Sequence, residues 1–274
     1  MSTNHVSRLE KVTFQNWPYL KICAHRGAGK LAPENTLEAF QYGASFGHRM
    51  FEFDVKLSAD NVSFLLHDDT LDRTTSGKGA ATDFSMQELA RLNAGLVPLA
   101  LDTQFGLPAN QVIRLPELRK ISAWLLENNF LANVEIKPSP GREAETGAQI
   151  AKECMAMWSA YADGLPSDQT LIPPLLSSFS EVALAAARDA VPELPRALLI
   201  HALPQDWLDR CLRLDVVALD CNFRELSAKV IQKAKAYQLR VVSYTVNDGQ
   251  IMQRLFTDGL DCAITDAVNL FKPE

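Results

Sequence analysis

The chain has 274 residues, with 27 basic against 33 acidic side chains and a net charge of −6. At 47% hydrophobic and 22% charged it has the composition of an ordinary globular protein, long enough for one large (β/α)8-sized domain. The acidic balance argues against nonspecific binding to nucleic acid or to anionic membranes, so an anionic substrate must be drawn in by local cations.

The reading is of a cytoplasmic protein without membrane insertion. Glu10 and Lys11 fall where the apolar core of a secretory signal would sit, and no run is long enough to span a membrane. The five cysteines (Cys23, Cys154, Cys211, Cys221, Cys262) are odd in number and lack CxxC spacing, which predicts buried free thiols in a reducing compartment.

Residues 1 to 18 read as an irregular lead-in, with Phe14 and Trp17 packing on the body. Strand one is Leu20 to Ala24. A helix opens at Pro33 and Glu34, runs through Leu37, Phe40 and Ala44, and ends at Gly47. Met50 to Leu57 is strand two and Val62 to Leu66 strand three. From Asp68 to about Ile113 the βα rhythm breaks, with only a short helix at Ser85 to Leu92 that carries a capping box in Ser85 and Glu88. The segment reads as a small insertion, about 68–113, over the barrel mouth.

Alternation then resumes. Helix is expected at Pro116–Asn128, with Leu118, Ile121 and Leu125 on one face, and strand at Leu131–Ile136. A helix at Ala144–Tyr161 carries Ile150, Met157 and Trp158 as core candidates. The remaining strands are Pro174–Phe179, Pro195–Ile200, Val216–Leu219, Arg240–Val246 and Cys262–Thr265. The helices between them are Glu181–Asp189, Gln205–Leu212, Ser227–Tyr237 and Gly249–Asp258. About eight such units without a dinucleotide fingerprint predict an α/β TIM barrel rather than an open sheet, with 1–274 as one domain.

Glu52 and Asp54 are two apart on a strand and share a face, and Glu135 has the same setting on another strand. Converging carboxylates at strand ends predict a site for one hard divalent cation, Mg2+, Ca2+ or Mn2+. His25 and His67 follow strands beside these acids and are the expected acid/base pair. His5, His48 and His201 lack that context and read as surface or structural. Arg26 and Lys137 supply positive charge at the same rim. Acids, a cation site and two fixed positive charges suit a phosphate ester.

Seven motifs together carry a resemblance. They are His25-Arg26-Gly27, Pro33-Glu34-Asn35-Thr36, Glu52-x-Asp54, His67-Asp68, Arg73-Thr74-Thr75, Glu135-x-Lys137 and Tyr244-Thr245-Val246-Asn247. In this order they resemble the glycerophosphodiester phosphodiesterase family, in particular its bacterial cytosolic members. The resemblance implies a TIM barrel with an inserted subdomain between strands three and four. It also implies hydrolysis of glycerophosphodiesters to sn-glycerol 3-phosphate and an alcohol. It places the metal on Glu52, Asp54 and Glu135, acid/base work on His25 and His67, and the phosphate on Arg26 and Lys137. Tyr244 stands where many members have Trp and is expected to pack on the glycerol, with Phe179 and Phe223 as further pocket candidates. Water or the neighbouring glycerol hydroxyl could be the nucleophile. The rival readings are a lysophospholipid- or phosphoinositide-cleaving relative, a non-catalytic barrel for phosphorylated ligands, and an aldolase with a Schiff base on Lys137.

Overall fold

A computed structural model describes residues 8–95, 112–271 and 273. Eight strands run parallel and close on themselves: β1 (Ile22–His25), β2 (Met50–Leu57), β4 (Leu131–Ile136), β5 (Leu175–Ser178), β6 (Arg196–Ile200), β7 (Ala218–Asn222), β8 (Arg240–Tyr244) and β9 (Cys262–Thr265). Their order is β1-β9-β8-β7-β6-β5-β4-β2, and pairing of Ala24 and His25 with Phe51 and Glu52 closes the ring. The expected TIM barrel is therefore present. Around it stand α1 (Leu37–Ser45), α3 (Leu118–Glu127), α4 (Glu143–Asp163), α5 (Glu181–Ala190), α6 (Trp207–Leu214), α7 (Ala228–Ala236) and α8 (Gly249–Asp258), while α2 (Met86–Leu89) lies between strand three and α3.

Strand three corrects the expectation. β3 (Ser63–Leu65) pairs antiparallel with the end of β2, Val55 opposite Leu65 and Leu57 opposite Ser63, so it is no stave of the barrel. The reason is connection length. Only residues 58–62 separate the two strands, whereas a parallel crossover needs a dozen residues or more. A turn is the remaining solution, and Asn61 takes the left-handed conformation it requires (φ 61°).

β2 shows how the sequence seats the site. All eight of its residues are buried. Phe51, Phe53 and Val55 join the core between barrel and helices, while Met50 joins the core inside the barrel. With a side-chain period of two, Glu52, Asp54 and Lys56 follow Met50 inward. The outward face is clamped by rings. Phe40 of α1 meets Phe51 and Phe53 edge-on at 5.5 and 5.4 Å, and Trp124 of α3 and Phe130 close on Phe51 at 6.0 and 5.6 Å. Such pairs contribute about 0.5–1.5 kcal/mol each beyond area burial.

Leu118, Ile121, Leu125, Ile150 and Trp158 are buried in the same core, with Met157 packed against it. The five cysteines are free and buried. In the lead-in, the Arg240 guanidinium lies 4.8 Å from the Phe14 ring and 6.0 Å from that of Trp17. A separate apolar cluster joins β3 to the residues that follow it, including Phe64, Leu71, Met86, Leu89 and Ile113. Its Ser85–Glu88 capping box forms as expected, but α2 is only one turn. Residues 96–111 of the expected insertion, and His5, lie outside the described residues. Among the described residues no helix is long and apolar enough to cross a membrane.

Two boundaries moved with chemical consequence. α1 begins at Leu37, capped by the Thr36 side chain on the Ala39 amide, so Pro33, Glu34 and Asn35 form a loop rather than a first turn. β7 runs on to Asn222, two strand positions further than expected in its inward-facing row, and so carries Asp220 within the barrel.

Candidate active site

The side chains that matter stand at the carboxyl ends of β1, β2, β4, β8 and β9, the end where TIM barrels build sites. Glu52, Asp54 and Glu135 are all buried, and each offers an oxygen within 4.8 Å of the others. The β2–β4 register sets this, since Asp54 pairs with Glu135. Asp54 is the best supported. Its Oδ2 accepts from the Asn35 amide at 2.8 Å, and its own N–H donates to Asn35 Oδ1 at 3.1 Å. That exchange is why Asn35 leaves the helix and adopts φ 59°.

The three acids differ in charge affinity. Burial pushes Glu52 well up, with Asp54 and Glu135 adding to it. Burial also raises Glu135, to about 7, with the charge of Asp54 next. For Asp54 burial acts the same way but is outweighed by Arg26 and Lys137, and its acid is held well below the usual range. Glu52 Oε1 and Asp54 Oδ1 have no hydrogen-bond partner although both are buried. Three oxygen donors this close, with orphaned atoms and raised acids, fit a hard divalent cation. Nothing in the set is a thiolate or imidazole of the kind zinc prefers.

Positive charge meets the triad from two sides. Arg26 Nε lies 3.1 Å from Asp54 Oδ2, its Nη1 donates to Glu34 Oε1 at 2.9 Å, and its backbone N–H donates to Glu52 Oε2 at 3.2 Å. Lys137 Nζ donates to Glu135 Oε1 at 2.7 Å and lies 3.5 Å from Asp54 Oδ1. Burial lowers the Lys137 pKa, but Glu135 and Asp54 more than reverse this, and the amine stays protonated. A Schiff-base role needs a neutral amine, and the two carboxylates around Lys137 disfavour it.

Each histidine is held by a carboxylate through Nδ1. His25 Nδ1 is 2.6 Å from Asp266 Oδ1, and its Nε2 is 3.7 Å from Glu52 Oε2. Burial raises the Asp266 acid, but its bond to His25 and the His25 charge outweigh this and hold it low. Asn247 clamps Asp266 further, donating to Oδ2 at 3.3 Å and accepting the Asp266 N–H at 2.8 Å. His67 Nδ1 is 2.7 Å from Asp68 Oδ1. Burial, and the charges of Arg26 and Lys137, pull the His67 pKa down. Arg73 then forks between Asp68 (2.7 and 2.9 Å) and Glu34 (2.7 and 2.8 Å), tying the loop after β3 to the loop after β1.

His25, Arg26, Glu52, His67, Glu135 and Lys137 all line one cavity of about 280 Å³. Phe179 and Tyr244 also line it. Their rings meet edge-on at 5.8 Å, and Lys137 Nζ sits 5.4 Å from the Phe179 centroid. The Tyr244 hydroxyl is engaged elsewhere, donating to the Ile200 carbonyl at 3.0 Å. Phe223 is not among the lining residues. Its ring lies under the Arg224 guanidinium at 4.8 Å and against the outer core. His201, read as surface or structural, is exposed and also lines the cavity, while His48 is buried and donates Nε2–H to the Val268 carbonyl at 2.9 Å, a structural role.

A profile described as the glycerophosphoryl diester phosphodiesterase family matches residues 25–270. The chain belongs to this family. It is accordingly an enzyme, a phosphodiesterase. A curated glycerophosphodiester phosphodiesterase of Caldanaerobacter subterraneus is 29% identical over 251 residues, 89% of this chain and 93% of the relative. One of Bacillus subtilis is 24% identical, over 90% of this chain and 84% of its own. Among solved structures, an Oleispira antarctica phosphodiesterase in complex with the product sn-glycerol-3-phosphate matches with TM-score 0.78 and 30% identity, covering 91% of this chain and 94% of that one. A glycerophosphodiester phosphodiesterase from Agrobacterium tumefaciens shares the fold, with TM-score 0.69, 22% identity, and coverage of 93% and 99%.

Relative to the sequence reading, this family member adds one element that no quoted motif contained. Asp266, directly after β9, orients His25. Its only local signal is its place at the end of the last strand, the position that a barrel brings beside the first. Glu34, Asn35, Asp68 and Arg73 stood inside the motifs, but their pairings cross up to 39 residues and needed coordinates.

Proposed function

We propose that this enzyme hydrolyses glycerophosphodiesters, the deacylated phospholipids, to sn-glycerol 3-phosphate and an alcohol, using His25 and His67 for proton transfer beside one divalent cation. The observation that carries the proposal is the pairing of two carboxylate-oriented histidines with three buried carboxylates whose oxygens come within 4.8 Å of one another beside one cavity. Glu52, Asp54 and Glu135 would hold the ion, Mg2+, Ca2+ or Mn2+. When bound it supplies Lewis-acid polarisation of a phosphate oxygen.

The chain's own groups do the rest. Arg26 and Lys137 neutralise the remaining phosphate charge as it builds in the transition state, often the largest catalytic contribution. With Nδ1 fixed, each histidine turns Nε2 toward the reacting atoms. One takes the proton of the nucleophile, whether water or the neighbouring glycerol hydroxyl, and the other protonates the leaving alkoxide. Phe179 and the Tyr244 ring pack on the glycerol arm. The segment at about 68–113 serves as an insertion of the single domain that seats Asp68 and Arg73 at the mouth. The five buried thiols support a cytoplasmic location, and neither nucleic acid nor membrane insertion enters the activity.

The test is turnover of glycerophosphocholine by His25→Ala and His67→Ala. Each should lose at least about a hundredfold in kcat while remaining folded by circular dichroism, since one proton transfer contributes roughly 10²–10⁴. Near-normal turnover in either variant removes that residue from the mechanism.

A further inference from the structure

Glu34 makes contacts that the mechanism does not use. Within its motif, Asn35 holds Asp54 and Thr36 caps α1. Glu34 instead stands between two guanidinium groups. Its Oε1 accepts from Arg26 Nη1 at 2.9 Å and from Arg73 Nη2 at 2.8 Å, and its Oε2 accepts from Arg73 Nη1 at 2.7 Å. The carboxylate is largely buried, at 18% exposure. Burial raises its acid, but the two arginines outweigh this and hold it below the ordinary range.

Each arginine depends on this carboxylate. Arg26 leaves β1 with φ 50°, a left-handed conformation that Gly adopts freely and Arg does not. Its backbone is pinned there by the N–H bond to Glu52 and by its carbonyl, which accepts the Asn35 N–H at 3.0 Å. The side chain beyond is long, and two acids fix its planar end. Asp54 is one, 3.1 Å from Nε, but Asp54 also belongs to the cation site. Glu34 lies outside the triad and holds Nη1. On the other side, Arg73 and Asp68 are only five residues apart on one loop, so their pairing alone does not place His67 relative to Arg26. The two Arg73 bonds to Glu34, across 39 residues, do so.

We infer that Glu34 is a positioning residue shared by the two halves of the site: it aims Arg26 at the phosphate and, through Arg73 and Asp68, holds His67 in register with it. This rests on the function proposed above, and it adds the residue that keeps phosphate binding and proton transfer in one frame. The demand is strict, because a misplacement of about 1 Å can cost about a hundredfold in rate. A carboxylate suits the task. Its two oxygens serve three N–H donors from two planar forks, which a single hydroxyl or amide oxygen does not.

The experiment measures calorimetric binding of sn-glycerol 3-phosphate, with the divalent ion present, beside kcat for glycerophosphocholine. Glu34→Ala should weaken binding at least about tenfold, or about 1.4 kcal/mol, and lower kcat at least about tenfold. Arg73→Ala should lower kcat but leave binding within about threefold, because Arg26 keeps its bond to Glu34. Glu34→Gln has the same shape and one acceptor left for Arg26. It should fall between wild type and Glu34→Ala in both quantities, and it decides the matter if the alanine variant does not fold. In a variant lacking both arginines, Arg26→Ala with Arg73→Ala, adding Glu34→Ala should change either quantity by less than about twofold, since Glu34 acts through them. Wild-type binding in folded Glu34→Ala, or in Glu34→Gln where that variant decides, overturns the inference. So does a loss that keeps its full size when both arginines are gone, which would mark Glu34 as merely structural. If binding follows the stated order but no glycerophosphodiester is turned over, the proposed function fails and the hold of Glu34 on Arg26 stands.

Discussion

Asp266→Asn isolates the second carboxylate that serves a histidine. The wild-type contact is short, Nδ1 to Oδ1 at 2.6 Å, and joins two partly buried groups with 17% and 16% side-chain exposure. A hydrogen bond to a charged group in such a setting contributes about 1.5–3 kcal/mol, or about 10- to 150-fold if all of it is realised in the transition state. The amide makes matters worse. Asn can donate to Nδ1, which places the imidazole proton on Nε2 and leaves that nitrogen unable to take up a proton. In the Ser-His-Asp hydrolases the equivalent swap costs about 10⁴ in kcat through the wrong tautomer. For this enzyme the expected loss in kcat is thus at least about a hundredfold, with KM changed by less than about threefold. Steady-state release of glycerol 3-phosphate from glycerophosphocholine measures both. A loss below about tenfold in a folded variant would refute the reasoning, and His25 would then need no orienting carboxylate.

Arg73→Ala should lower kcat about 10- to 100-fold, because it frees Asp68 and with it His67, yet leave the melting temperature almost unchanged, since Arg73 is 45% exposed and exposed ion pairs contribute little; Arg73→Lys should recover only part, lacking the fork. The pH dependence of the metal-free protein follows from Glu135. Its folded pKa of about 7 lies above the ordinary 4.5, so its stabilising contribution is present in full below about pH 4.5 and is lost as pH rises through 7. Chemical denaturation should therefore show the wild type losing up to about 3 kcal/mol relative to Glu135→Gln across that window, and parallel curves would contradict the shift. At about a hundred times its Kd, the divalent ion should stabilise the wild type by about 2.7 kcal/mol, raising the melting temperature by several degrees, and should fail to do so for Glu135→Gln. Phe53→Ala should cost about 3–5 kcal/mol by opening the ring cluster behind β2, visible as a lower denaturation midpoint.

The barrel was legible because its staves are short apolar runs separated by amphipathic helices. Met50–Leu57, Leu131–Ile136, Gly249–Asp258 and Cys262–Thr265 fall where the pattern put them. Strand direction was less so. Val62 to Leu66 has strand character, but only the short connection, residues 58–62 between β2 and β3, determines that it must turn back. The triad and both histidines stood out because Glu-x-Asp and Glu-x-Lys place charge in otherwise apolar strands, where it is costly without a partner. The orienting groups did not. Asp266 pairs with a residue 241 positions away, and nothing in its neighbourhood distinguishes it from any acid after a strand. Asp220 was hidden for a different reason: ending the strand at Leu219 left it in a loop, where an acid is unremarkable.

The most direct test of the central claim is release of glycerol 3-phosphate from glycerophosphocholine and glycerophosphoethanolamine by chelator-treated enzyme, alone and with Mg2+, Ca2+ or Mn2+ added back, beside Glu52→Gln and Asp54→Asn. The account predicts no release after EDTA, restoration by at least one of the three ions in the wild type, and no restoration in either variant. Undiminished release from the metal-free protein would contradict it, and the three carboxylates would then have to act without the cation their arrangement fits.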